Sequence, residues 1–376
     1  MNVRIAVHGW LVLELSDDSE FWVGIFALAL GMGQVLFSLF AGAIADRFQR
    51  RTVLLAESSI SATMAIAIAV ATYFGFTTLW MAIAIAFPMG AQRAVRFTAS
   101  NRFVYDLVGA RQLVNGVAMW RLSATPMMII GALLTGALID WQGVWAAYGL
   151  MGASIAASIP FIALVKVRGE VERTGISLFG QTIEGVRFAV HSPPLRVLFT
   201  ISLVMESLGF AFLIMIPVMA KTVLETGGTG MGFLQAGVGT GMLVASLLMA
   251  ARGDVEHKAR VIFWAALGAG VALAGFAASR SLPLSVFLAA AAMAFLNAYD
   301  MTLGALMQLV SPPHLRGRAV SLHSLAISFT ALGGFVMGAM GGIIGVPVVL
   351  AAGGAGIVAN SLWRRAALMR IREHRG

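Results

Sequence analysis

Ionisable residues inside long apolar stretches are the residues of this chain most able to do chemistry. Glu206 lies in the run VMESLGFAFLIM, and Asp300 and Arg121 lie in two further apolar stretches. A charge near the centre of a bilayer is costly unless it is paired or hydrated, so each of these residues is a functional candidate. Burial favours the neutral form of a carboxyl group, and a buried acid can therefore take up a proton on one side of a membrane and release it on the other.

Each of these three charges has more than one interpretation. Glu206 is a candidate for proton coupling, for a permanent ion pair with Arg121, or for binding a cationic substrate. Asp300 is a candidate for pairing, gating or proton coupling. Arg121 would neutralise a carboxylate or contact an anionic substrate.

Three more charged residues lie in the third and fourth apolar stretches. Glu57 follows closely after an arginine cluster and is predicted to pair with Arg50 or Arg51. Arg93 and Arg96 lie toward the end of the fourth stretch, and their long side chains are predicted to extend to the membrane surface.

Uncharged side chains would complete a cavity between the helices. His323 is predicted to be a satisfied histidine between helices; the alternative is a group that titrates. The amide side chains that would line the cavity, or instead bond a neighbouring helix, are Gln34, Gln235, Asn297 and Gln308. The adaptable apolar candidates, whose alternative is packing in the core or against lipid, are Phe210, Phe212, Met215, Met219, Met293 and Phe295.

The composition requires a bilayer around these residues. Of 376 residues, 59% are apolar and 11% are charged, against about 25% charged in soluble domains. This excludes a disordered chain and an ordinary soluble enzyme, and the absence of Cys excludes a disulfide scaffold. Eleven apolar stretches reach the roughly 20 residues that a membrane helix needs. They lie at about 22–45, 52–75, 77–100, 112–139, 143–165, 195–219, 229–251, 261–279, 283–306, 319–344 and 346–363.

A shorter apolar segment, residues 3–15, precedes these stretches. A helix of this length reaches only about 22 Å, less than the roughly 30 Å hydrocarbon core. We expect either a first helix truncated at its start or a half-helix packed inside the bundle. The predicted domains are a membrane half at 1–165, a charged cytoplasmic linker with an amphipathic helix at 166–194, and a second membrane half with a basic tail at 195–376.

The net charge of +9 is a signal of orientation. Twenty Lys and Arg residues fall in alternate loops and the C-terminal tail, whereas the opposite loops hold only Lys221 and Arg280. Positive loops remain in the cytoplasm, so we predict a multi-pass protein of the cell (inner) membrane with a cytoplasmic C-terminus. The same charge attracts anionic lipid, so no nucleic-acid partner is required.

The strongest motif is GAIADRFQRR, from Gly42 to Arg51. It resembles the signature G-x-[LI]-A-D-R-x-G-R-R of the major facilitator superfamily, except that Gln49 replaces the usual glycine. The loop PPHLRGR at 312–318 resembles a second loop of the branch that includes enterobactin exporters and macrolide or multidrug efflux proteins. A weak internal repeat, DLVGARQL at 106–113 against QLVSPPHL at 308–315, agrees with two related halves.

The resemblance implies roles for these loops. Asp46 and its neighbouring arginines would lock and release a cytoplasmic gate, with Asp106 as a partner; the alternative is a topology anchor alone. Glu14, an acid in the first helix, becomes a candidate for substrate recognition. The gate residues are Gly42, Asp46, Arg47, Arg50, Arg51 and Asp106, and those of the second-half loop are Arg316, Gly317 and Arg318.

The glycine-rich runs are predicted to serve packing or loops. Gly237 to Gly241 lies in an apolar stretch with no preceding strand, which excludes a dinucleotide site. Gly334, Gly338 and Gly342 would form one face for close helix packing, and 227–232 is predicted to be an outer loop. No spacing typical of an enzyme, a metal site, a cofactor site or an ATP site is present.

The predicted fold is therefore all-α, with two pseudo-symmetric six-helix halves around a central cavity. We expect a monomeric secondary transporter that exports a small amphipathic molecule by proton-coupled alternating access. The alternatives are a dedicated siderophore or metabolite exporter, and a non-transporting membrane protein for lipid handling or assembly.

Overall fold

The computed structural model describes residues 2–165, 192–253, 257–311 and 316–371. The regular structure of these residues is entirely helical. Ten of their helical segments are long and apolar enough to cross a membrane, which confirms the predicted all-α membrane fold. The helices are α1 (Asn2–Leu15), α2 (Glu20–Arg47), α3 (Arg50–Tyr73), α4 (Leu79–Gln142), α5 (Val144–Leu164), α6 (Pro193–Val223), α7 (Gly227–Arg252), α8 (Lys258–Ala278), α9 (Leu282–Leu309), α10 (Arg316–Ile344) and α11 (Val346–Met369).

Helix α4 contains two of the predicted spans. Its backbone leaves the helical conformation at Gly109, where φ is 71°, and this divides it into a first limb (79–108) and a second limb (110–142). A positive φ is accessible to glycine at little cost, so the chain can turn there. With α1 to α5 in the N-terminal half and α6 to α11 in the C-terminal half, each half contributes six helical segments.

The same one-residue turn occurs in both halves. Gly143 joins α4 to α5 with a φ of 94°, and Gly345 joins α10 to α11 with a φ of 86°. Both connections lie at the end of the bundle that the charge pattern predicts to be outside. We call this end the predicted outer face. It carries residues 16–19, 74–78, 143, 224–226, 279–281 and 345.

Glycines allow equivalent helix pairs to approach closely in each half. A Cβ on Gly33 of α2 would collide with the carbonyl oxygen of Phe87 in the first limb of α4. In the C-terminal half, a Cβ on Gly241 of α7 would collide with the carbonyl oxygen of Ala290 in α9. Gly237 also packs against α9, at Val286, so Gly237 and Gly241 both serve packing between α7 and α9.

Two further pairs join the halves. Gly334, Gly338 and Gly342 of α10 all face α2, which confirms their predicted role in packing. On the other side of the bundle, Gly136 of the second limb of α4 packs against Gly232 of α7. The halves therefore meet along two seams of small residues.

The short helix α1 lies inside the bundle. Residues 6–13 are buried, and a Cβ on Gly9 would lie 3.2 Å from the ring of Pro217 in α6. The ring of His8 bonds the Ala82 carbonyl oxygen through Nε2 at 2.9 Å and the Tyr148 hydroxyl through Nδ1 at 2.5 Å. Because a carbonyl oxygen only accepts, Nε2 carries the proton and Nδ1 accepts from Tyr148. These bonds connect α1 to α4 and α5.

Candidate functional site

A cavity lies between the two halves of the bundle. It is lined mostly by apolar side chains. Gln34, Gln235 and Phe210, which the sequence suggested as lining residues, contribute to its wall. Its other polar lining residues are Arg93, Ser328 and Thr330, and its other apolar ones include Ile5, Leu30, Leu213, Ile214 and Ile327.

Glu206 lies next to this cavity in an irregular part of α6. The segment Met205–Phe210 is π-helical, and the side chain of Glu206 is 3% exposed. The hydroxyl of Thr330, a lining residue of α10, donates a hydrogen bond of 2.6 Å to Glu206 Oε2. Within the described part of the chain, Glu206 forms no ion pair. A π-helical segment of this kind is frequent at functional sites, and here it places an acid against a neutral partner.

A glycine on α10 makes this contact possible. A Cβ on Gly333 would collide with the carbonyl oxygen of Ser207, inside the π-helical segment. Without a side chain at 333, the backbones of α10 and α6 approach closely, and Thr330, one turn earlier, reaches Glu206. The hydrogen bond between α6 and α10 therefore depends on Gly333, which has no side chain and takes no part in the bond itself.

Asp300 belongs to a second polar cluster beside the first. The ring of His323 on α10 contacts Asp300 Oδ1 on α9 at 3.0 Å through Nε2, which confirms the predicted interhelical contact, but its buried Nδ1 has no hydrogen-bond partner among the described residues. Asp300 and His323 are close enough to act electrostatically on Glu206. The buried Tyr299 lies near both acids. Helices α6, α9 and α10 thus bring the two predicted acids together.

The position of Arg93 differs from the prediction that its side chain extends to the membrane surface. The structure places it in the cavity wall, on the first limb of α4, and not at the membrane surface. It makes no hydrogen bond or ion pair with any described residue, although it lies close enough to Glu206 for an electrostatic effect. The cavity therefore has a basic group on its N-terminal wall and an acid behind its C-terminal wall.

A polar network inside the N-terminal half joins α1, α3 and α4. Arg4 donates to Gln92 at 3.1 Å and to Ser61 at 3.2 Å. The Ser61 hydroxyl lies 2.7 Å from Gln92 Oε1 and 2.9 Å from Glu57 Oε1, and its one proton can be donated to either acceptor. Arg96 pairs with Glu57 at 2.6 Å. The sequence predicted Arg50 or Arg51 as the partner of Glu57 and did not identify Arg96. The side chain of Arg96, predicted to extend to the membrane surface, instead pairs with this carboxylate.

Several other candidates lie away from the cavity. Glu14 is exposed near the end of α1 and accepts a hydrogen bond of 2.7 Å from Trp10 Nε1. Asn297 bonds Ser246 and the Met242 carbonyl oxygen of α7, which is the interhelical alternative predicted for it. Gln308 is exposed and bonds its own helix. The side chains of Phe212, Met215, Met219 and Met293 are buried in the core, and Phe295 is 41% exposed.

The gate motif spans the end of α2 and the start of α3. Gly42, Asp46 and Arg47 belong to α2, and Arg50 is the first residue of α3. Arg51 donates to the carbonyl oxygen of Ala163 at the end of α5. The side chains of Asp46, Arg47, Arg50, Asp106, Arg121, Arg316 and Arg318, together with the linker at 166–191, lie outside the described part of the structure.

Polar contacts join the halves at the predicted outer face. Asp140, near the end of α4, accepts hydrogen bonds from the backbone N–H groups of Gly228 and Thr229 in α7. Lys221 of α6 pairs with Asp18, in the connection after α1, at 2.5 Å. The prediction of a loop at 227–232 was wrong, because these residues form the first turns of α7. These contacts therefore connect the two halves at this end of the bundle.

The family follows from a match along the whole chain. A family model described as transmembrane secretion effector matches residues 2–374. The chain belongs to this family of the major facilitator superfamily. Among the described residues no cluster could hold a metal ion, and the family and its relatives are transporters and not enzymes.

Curated relatives and solved structures agree with this assignment. The chain is 26% identical to the multidrug efflux pump Tap of Mycolicibacterium fortuitum, over 94% of this chain and 86% of that protein. It is 22% identical to the enterobactin exporter EntS of Shigella flexneri, over 96% and 87%. The nucleoside transporter NupG superposes with a TM-score of 0.71 at 15% identity, over 99% and 97% of the two chains. The inward-open xylose transporter XylE of E. coli superposes with 0.67 at 11%, over 100% and 96%. These structures share the fold.

Proposed function

We propose that this transporter exports a small amphipathic molecule across the bacterial inner membrane by proton-coupled alternating access. The distribution of Lys and Arg supports a cytoplasmic C-terminus, because positive loops stay inside. The efflux activities named for Tap and EntS support export. A mostly apolar cavity at the contact between two halves suits a binding site that opens alternately to each side.

The observation that carries the proton coupling is the environment of Glu206. Its carboxyl group is buried beside the cavity and bonds a hydroxyl, and it makes no ion pair among the described residues. A permanently paired acid would resist protonation, whereas an acid with a neutral partner can change charge during the cycle. The partner Thr330 belongs to α10, which also forms a seam with α2 in the other half. Neutralising Glu206 therefore changes the charge at a helix that moves when the halves rearrange.

The contacts at the predicted outer face support alternation between two states. Asp140 and Lys221 each join opposite halves, so both contacts must break before the cavity opens outward. In the inward-facing half of the cycle the substrate would enter from the cytoplasm. Proton uptake from the outer side would then accompany the outward-open state.

Transport in proteoliposomes tests this proposal. The purified protein would be assayed with an imposed pH gradient and three probes of different charge: ethidium, tetracycline and carboxyfluorescein. We expect gradient-driven flux of at least one probe, and this flux should be at least tenfold slower in Glu206→Gln. The control Glu14→Gln removes an exposed acid outside the cavity, and its flux should be within twofold of that of the unmodified protein. Flux that does not depend on the imposed pH gradient would indicate facilitated diffusion. Absence of flux for every probe would favour a dedicated exporter of another compound, or a non-transporting role in lipid handling or assembly, over a pump for many small amphipathic molecules.

A dedicated metabolite exporter is the second candidate. The observation that favours it is the similarity to an enterobactin exporter over 96% of this chain. Comparison of the compounds secreted by cells with and without the gene tests it. One missing secreted metabolite, with unchanged drug tolerance, would support this candidate over a multidrug pump.

A further inference from the structure

We infer that the transported molecule carries an anionic group that binds Arg93, and that Gln235 from the opposite half bonds the same molecule. This inference rests on the proposed transport function and names the class of its substrate. The two side chains line one cavity from different halves. A ligand held by both would connect the halves that alternating access moves apart.

The first support is the missing partner of Arg93. Two nearby arginines of the same half, one in α1 and one in α4, have side-chain partners. Arg4 bonds Gln92 and Ser61, and Arg96 pairs with Glu57. Arg93 has no such partner among the described residues, although a cation inside a membrane protein is costly without one. A planar guanidinium is also well suited to bind a carboxylate, sulfonate or phenolate group through two parallel hydrogen bonds.

The second support comes from Gln235 in α7. Its side chain is 2% exposed and lines the cavity, yet its amide oxygen has no hydrogen-bond partner among the described residues. Leaving a buried polar atom without a partner is energetically costly. A bound molecule with hydroxyl or amide groups would remove this cost. Gln34 and Ser328 lie in the same wall and add polar groups from both halves.

The remaining wall agrees with an aromatic or aliphatic body on such a molecule. Phe210, Leu213, Ile214 and Ile327 supply apolar surface next to the polar groups. Glu206 is the acid near Arg93, but its Oε2 atom already accepts from Thr330, and it does not form an ion pair with Arg93. The cavity therefore favours an organic anion with a large apolar part over a lipophilic cation.

A matched pair of dyes separates charge recognition from apolar binding. Anilinonaphthalene sulfonate and phenyl-naphthylamine share one aromatic skeleton and differ by the sulfonate. Binding would be measured by fluorescence with the full-length protein in lipid nanodiscs, after subtraction of empty nanodiscs. We expect Arg93→Gln to weaken binding of the sulfonate at least tenfold and of the uncharged dye less than twofold. Arg93→Lys should weaken sulfonate binding less than Arg93→Gln does, since it keeps the charge but loses the two parallel hydrogen bonds.

Two further variants complete the experiment. Gln235→Leu should weaken both dyes less than Arg93→Gln weakens the sulfonate, because it removes a hydrogen bond and no charge. The control Arg280→Gln changes an arginine at the predicted outer face that bonds the carbonyl oxygens of Ala277 and Ser279. It should leave both affinities unchanged.

The inference fails if Arg93→Gln weakens both dyes equally or neither. It also fails if the sole defect of Arg93→Gln is a lower melting temperature that the double variant with Glu206→Gln restores, because Arg93 would then only balance that acid. Retained gradient-driven flux of any of the three probes in the same preparations would leave the proposed transport function intact. Loss of flux for every probe in the unmodified protein would instead overturn the proposed function.

Discussion

The carboxylate of Asp140 caps the start of α7, a helix of the opposite half. Its two oxygens accept hydrogen bonds from the backbone N–H groups of Gly228 at 2.6 Å and Thr229 at 2.7 Å. The first N–H groups of a helix have no partner within the helix, and the helix dipole favours an anion there. This contact therefore ties the halves together at the predicted outer face.

Removal of this cap should favour the outward-open state. Loss of a capping carboxylate costs about 0.5–2 kcal/mol, so we expect Asp140→Ala to raise outward opening about fivefold. The chain has no Cys, and Ser328→Cys supplies a nearly isosteric label site in the cavity. Labelling of this cysteine in cells by a membrane-impermeant maleimide measures the opening. Thr229→Ala keeps the backbone N–H and serves as the control; equal labelling of Asp140→Ala and the unmodified protein would contradict this role.

The Asp18–Lys221 pair should matter less, although it joins the same two halves. Its charged atoms are 2.5 Å apart, but the side chain of Asp18 is 47% exposed and that of Lys221 is 23% exposed. Exposed ion pairs contribute about 0–1 kcal/mol and weaken in salt. We therefore expect Lys221→Ala to raise maleimide labelling of the Ser328→Cys protein less than threefold, with the difference vanishing at high salt. A larger, salt-independent effect would show that Lys221 acts through its cation–π contact with Trp10.

The fold was predictable because membrane helices are specified locally. About 20 apolar residues suffice for a span, and glycines mark where helices turn or pack closely. The spacing of Gly334, Gly338 and Gly342 identified the face that meets α2. The segment 227–232 was mistaken for a loop because glycine is a poor helix former. The Asp140 cap and the close packing of Gly136 on Gly232 outweigh that propensity, and both depend on a distant helix.

The site was predictable only in part, because the side chain that meets a buried charge depends on helix rotation. Glu206 and Asp300 were found from their charge in apolar sequence. Thr330 was not, since a hydroxyl in a helix usually bonds its own backbone. Arg93 and Arg96 are three residues apart on the first limb of α4, so their side chains point in somewhat different directions. Arg93 therefore lines the cavity, whereas Arg96 pairs with Glu57.

The pair of Glu57 and Arg96 should stabilise the N-terminal half. Glu57 is buried and contacts both Arg96 and Ser61, so Glu57→Ala leaves Arg96 without its anion, while Ser61 keeps Gln92 as an acceptor. Breaking a buried pair costs about 3–5 kcal/mol, and we expect a smaller loss here, since the side chain of Arg96 is 44% exposed. The melting temperature in detergent should fall by several degrees.

A double-variant cycle distinguishes the pair from general damage to the network. Arg96→Met alone leaves the buried carboxylate unpaired, whereas Glu57→Gln with Arg96→Met removes both charges and keeps a hydrogen-bonding amide beside Ser61. The double variant should therefore melt above the Arg96→Met protein. Additive losses from the two single changes would show that the ion pair contributes no coupling energy.

The seam between α2 and α10 makes a steric prediction about the transport cycle. A Cβ on Gly338 would lie 2.5 Å from the Cα and backbone nitrogen of Gly24, closer than real Cβ atoms approach backbone. We expect Gly338→Ala to separate the two helices at the predicted outer face and to slow transport at least tenfold. Labelling of the Ser328→Cys protein from outside should rise at the same time, because the cavity can no longer close outward. The matched control is Gly131→Ala, because a Cβ at Gly131 meets nothing within 4 Å. Normal transport by Gly338→Ala would show that the cavity can close on its outer side even when α2 and α10 lie farther apart.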